Sequence, residues 1–165
     1  MMKSVLLTAV LASSPAWAES PALLATWSEN SGSLPPPYAW NVSAQVFADR
    51  SVTVQYCKGY ADTEPGCATV MTRADDVAMA ELLAVLKVNT VGLTVYPPHA
   101  MDDPPVGGGS VHGSVTLGDV VIDLPAFPSA VDQARVTTIL AAIRAVIPTA
   151  ALQEAAAKAI GPKED

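Results

Sequence analysis

Basic residues are scarce in this chain. Nine Lys and Arg face sixteen Asp and Glu over 165 residues, for a formal net charge of −7. No basic patch is visible, which argues against nucleic acid or anionic lipid as the main partner, since both reward clustered Lys and Arg. Histidine is scarcer still, with only His99 and His112, so an imidazole base must be one of these two. The H-E-x-x-H, G-x-S-x-G, G-x-G-x-x-G and P-loop signatures are all absent. Beyond residue 18 no apolar run approaches the ~20 residues that span a bilayer. The best stretch, 139–147, is short and carries Arg144.

What is present at the start is a targeting pattern. Met1, Met2 and Lys3 precede an apolar run over 5–12, and Ala16-Trp17-Ala18 then stands before Glu19. This layout predicts a signal peptide over 1–18, cleaved after Ala18, and a periplasmic or secreted product. Loss of Lys3 leaves eight basic residues against sixteen acidic ones, a net charge of −8. Cys57 and Cys67 are the two cysteines, and nine residues of turn-forming sequence separate them. In an oxidising compartment such a pair predicts a structural disulfide, worth roughly 2–3 kcal/mol for a loop of this length.

The patterning predicts one α+β domain over 19–161 with a frayed tail at 162–165. A short strand is expected at 23–27, and a proline-rich loop follows over 31–37. Trp40, Val42, Ala44 and Val46 alternate with polar residues, as do Val52, Val54 and Tyr56 beyond a turn, so 40–56 reads as a hairpin. After the cysteine loop, Thr72 and Asp75 form a helix-start signal, with Val77, Leu82, Leu83 and Leu86 along one side. The second half repeats the plan. A hairpin is expected over 111–124 around Gly118-Asp119, with a start signal at Ser129 and Asp132. The helix that follows carries Val136, Ile139, Leu140, Ile143 and Ile147 on one side. Pro35, Pro36, Val42, Val46 and Val52 each recur 69 positions on, whereas Thr72 and Asp75 correspond to Ser129 and Asp132 at an offset of 57. The expected architecture is therefore two ββα units, about 23–92 and 93–148, related either by an internal duplication or only by shared physical patterning. Their helices lie on one face of an antiparallel sheet, and a C-terminal helix follows at 149–160.

No assembled catalytic set emerges, and no cofactor is expected. His112 and His99 are the residues a hydrolase would use. His99, Met101 and His112 together form a soft ligand set that suits copper. The pairs Asp75-Asp76 and Asp102-Asp103 lack the alternate spacing of a calcium loop and read as solvated charges. Gly107-Gly108-Gly109 reads as a turn. The remaining feature is the loop containing Leu34, Pro35, Pro36, Pro37 and Tyr38, flanked by Trp27 and Trp40. Prolines stiffen the backbone and aromatics dominate contact surfaces. Ser31-Gly32 resembles, in those two residues, the S-G-G segment of the small bacterial metalloprotease inhibitors called emfourins, a match too short to assign a family. The expectation is an exported, non-catalytic module that binds another exported protein through this loop, as an inhibitor or accessory factor. A hydrolase and a copper carrier are the alternatives.

Overall fold

The computed structural model describes residues 21–94 and 108–162. The expected signal peptide, His99, Met101, Asp102-Asp103 and the last three residues lie outside the described residues. In chain order the elements are β1 (Leu23–Asn30), β2 (Trp40–Phe47), β3 (Ser51–Lys58), β4 (Cys67–Arg73), α1 (Asp76–Asn89), β5 (Ser110–Leu117), β6 (Val120–Leu124), α2 (Gln133–Val146) and α3 (Thr149–Lys158). The strands form one sheet in the order β4-β3-β2-β1-β5-β6, every neighbouring pair antiparallel. The α+β class stands as expected, with all three helices on one face.

Alternation explains which face they cover. Ala25 pairs with both Val46 and Val115, Ala44 with Val54, and Val54 with Val70, so one face is a continuous apolar layer. Leu82 and Leu86 of α1, Ile139 and Ile143 of α2, and Ala151 and Ala155 of α3 close over it as a single core. Full burial of a side chain such as Leu82 or Ile139 contributes about 2 kcal/mol. No single helix among the described residues is long and apolar enough to cross a membrane.

The structure corrects the reading around the cysteines. The chain leaves the cysteine loop as a fourth strand, which precedes the expected helix. Cys57 and Cys67 pair directly across β3 and β4 and form the disulfide, S–S 2.02 Å. That bond sets Cys67 opposite β3, and Ala68 and Val70 continue the inward alternation. Thr72 therefore lies in β4 opposite Val52, and Asp75 alone caps α1, accepting from the N–H groups of Val77 (2.8 Å) and Ala78 (3.3 Å). The helix buries Met79, Leu82 and Leu86, whereas Val77 and Leu83 are exposed. The first strand also runs three residues further than expected, to Asn30. At α2 the expected apolar side is buried throughout, from Val136 to Ile147. Its N-cap Asp132 bonds no helix N–H and turns its carboxylate elsewhere.

The offset of 69 holds through the first strand of each hairpin and then fails. Val42, Val46, Val111 and Val115 all face the helices. Val52 is buried there too, but Val121 is exposed on the other face, and Ile122 pairs with Val115 in its place. The turn between β2 and β3 has three residues and that between β5 and β6 has two. One residue fewer in the turn reverses the face of every side chain beyond it.

Candidate functional site

The loop between β1 and β2 is pinned at both ends. Ser31 N–H donates to the Trp40 carbonyl (3.0 Å), and Trp40 N–H donates to the Ser31 hydroxyl (2.9 Å). Tyr38 and Ala39 N–H groups both donate to the Pro35 carbonyl, at 2.9 and 3.0 Å. From the turn after β3, the Tyr60 hydroxyl donates to the Leu34 carbonyl (2.5 Å), and Gly59 N–H donates to the Ala39 carbonyl (2.7 Å). Gly32 is required at the entry. Its φ is +72° and a Cβ there would lie 2.4 Å from the Gly108 carbonyl oxygen. With the backbone held, every side chain from Leu34 to Tyr38 is exposed, and Tyr38 and Tyr60 are 64% and 66% exposed. Asp62 and Glu64 are exposed in the adjoining turn.

The two expected tryptophans do not join this surface. Trp27 is 3% exposed and lies beneath α2, because its cross-strand neighbours Ala44 and Gly113 leave room for the indole. The Arg144 guanidinium sits 5.7 Å over its ring, a cation–π contact. Trp40 is half-buried at the base of the loop, stacked on Tyr56 with centroids 6.0 Å apart. Burial pushes the Tyr56 phenol above its ordinary pKa. The exposed surface at this loop is thus its tip plus Tyr60, a residue for which sequence spacing offers no signal.

The sheet face away from the helices is uncharged across its centre. One row of paired residues crosses five strands as Thr69, Gln55, Ser43, Ser28 and His112. The polar members of each alternating strand carried this signal, but only strand order aligns them. They line a shallow groove of about 330 Å³. Thr26 and Ser114 hydroxyls hydrogen-bond across β1 and β5 (2.8 Å), and the Ser28 hydroxyl donates to the Val42 carbonyl (3.2 Å). Ser28 thus directs its proton at a carbonyl and not at the neighbouring imidazole. Among the described residues no carboxylate lines this groove to orient His112. Among the described residues no cluster of three metal-ligating His, Cys, Asp or Glu side chains occurs.

Desolvation holds the His112 pKa below the ordinary histidine value. The neutral ring is therefore favoured in the folded chain. Its contribution is complete above the unfolded value of ~6.5 and is lost as pH falls from there through the folded value. His112→Gln should flatten the fall in unfolding free energy below about pH 6.5. Urea titrations of both proteins at several pH values check this, and parallel curves refute it.

No known protein-family model matches the sequence, and no curated protein matches it significantly.

Proposed function

We propose that this chain is an exported, non-catalytic protein-binding module whose contact ridge is Leu34, Pro35, Pro36, Pro37, Tyr38 and Tyr60. The observation that carries this reading is a run of five exposed apolar side chains on a backbone hydrogen-bonded from both sides. Such a ridge loses little conformational entropy on docking, so its buried area converts efficiently into affinity. The disulfide fits an oxidising, extracytoplasmic compartment. Asp62 and Glu64 beside the ridge, in a chain of net charge −7, favour a partner with a basic rim. An extracytoplasmic enzyme inhibited by this loop is one such partner.

The test replaces residues 33–37 with a Gly-Ser linker of equal length. The tagged chain, lightly crosslinked in its native host, should lose its dominant exported partner while keeping its thermal midpoint within a few degrees. Undiminished capture of that partner overturns the reading. His112 in its hydroxyl-lined groove supports a second reading, a hydrolase using that imidazole. On that reading the purified chain cleaves p-nitrophenyl acetate faster than its His112→Ala variant.

A further inference from the structure

We infer that the groove between α2 and the β1–β5 pair binds a small zwitterion of the amino-acid type with an apolar side chain. The cavity measures about 410 Å³, which lies in the range of small-molecule sites. Trp27 forms its floor, Val111 and Leu140 line its apolar walls, and Phe127, 47% exposed, stands at its mouth. Two opposite charges also line it: Glu29 from β1 and Arg144 from α2.

These charges form no direct ion pair with each other. The ion pairs among the described residues join Arg50 to Asp76, Arg135 to Asp132 and Lys158 to Glu154, and none joins Glu29 to Arg144. Arg144 is nevertheless held in place. Its Nη1 donates to the Ile147 carbonyl (3.2 Å), and its guanidinium lies over Trp27. The remaining guanidinium N–H groups have no protein acceptor among the described residues, which leaves a fixed donor fork suited to a carboxylate. Glu29 sits in register between Val42 and Val111 on the helix-covered face and is part-exposed, so its carboxylate is available to accept from a ligand ammonium. A plain carboxylate ligand would satisfy Arg144 and be repelled by Glu29, and a plain amine would meet the reverse conflict. A zwitterion answers both, and its apolar side chain takes the Val111, Leu140 and Phe127 surface.

Calorimetric titration of the purified chain with L-phenylalanine and with L-leucine tests this. We expect saturable binding of at least one, with Kd below about 1 mM. 3-Phenylpropanoate and phenethylamine, which each keep one charge, should bind at least about tenfold more weakly than L-phenylalanine. Glu29→Gln and Arg144→Gln should each weaken binding by about tenfold or more. Should Arg144→Gln fail to fold, Glu29→Gln and ligand-induced shifts of the Gly109, Ser110 and Val111 amides carry the test. No saturation by about 10 mM, equal binding of the single-charge analogues, unmoved amides, or undiminished binding to the folded variants overturns the site.

Discussion

Asp132→Ala should lower the unfolding free energy by about 3 kcal/mol, read from the urea midpoint at constant slope. Asp132 is fully buried and ion-paired with Arg135 three residues on. It also accepts from Thr94 N–H and from the Ser129 hydroxyl, both at 3.3 Å. Arg135 in turn donates to the carbonyls of Val91 (2.7 Å) and Gly92 (3.3 Å). The pair therefore clamps the start of α2 to the chain leaving α1. Removing the carboxylate leaves Arg135 partly solvated, since its side chain is 29% exposed. Removing the cation takes the Arg135 charge away from a carboxylate buried in the fold, so Arg135→Ala should also lower the unfolding free energy. In a double-mutant cycle the two losses should fall well short of additive. Additive losses would mean that the two side chains stabilise the fold independently.

Gly113→Ala should destabilise the sheet by about 3 kcal/mol and shift Trp27 emission to the red. A Cβ at this position would lie 2.2 Å from the Thr26 carbonyl oxygen, which is backbone, and 3.2 Å from Leu140 Cδ2. Neither β1 nor α2 can yield without disturbing Trp27, whose cross-strand partner is Gly113 itself. Gly118 is the control. It has φ +60° but open space around it, so Gly118→Ala should cost only about 1 kcal/mol from backbone strain. Equal losses at both positions would show that steric exclusion at the β1–β5 contact is not what matters.

Much of the secondary structure was legible because its causes are local. The alternation from Trp40 to Val46 and from Val52 to Tyr56 specifies a hairpin from neighbouring residues alone, and the apolar side of α2 repeats at helical spacing. The fourth strand was missed because Thr72, which ends the strand's alternation, stands three residues before Asp75 and so mimics the first residue of a helix-start pattern. The strand is set by its pairing with β3 along seven positions, a contact between segments that local sequence does not specify. The exposed loop tip was legible from its prolines, but Tyr60, which braces it, was not, because its hydrogen bond to Leu34 joins segments distant in sequence.

By itself, then, the sequence determined the α+β class, the cysteine pairing, the apolar side of α2 and the stiffness of the loop, because periodicity, turn chemistry and compartment act over short range. Only the tertiary structure decided the strand order, the burial of Trp27, the exposure of Val121, the polar row ending at His112 and the meeting of Glu29 with Arg144 around one groove. Each of these depends on which strands become neighbours and on which face the helices cover. Those outcomes are set by packing between residues far apart in the chain, and local patterning does not encode them.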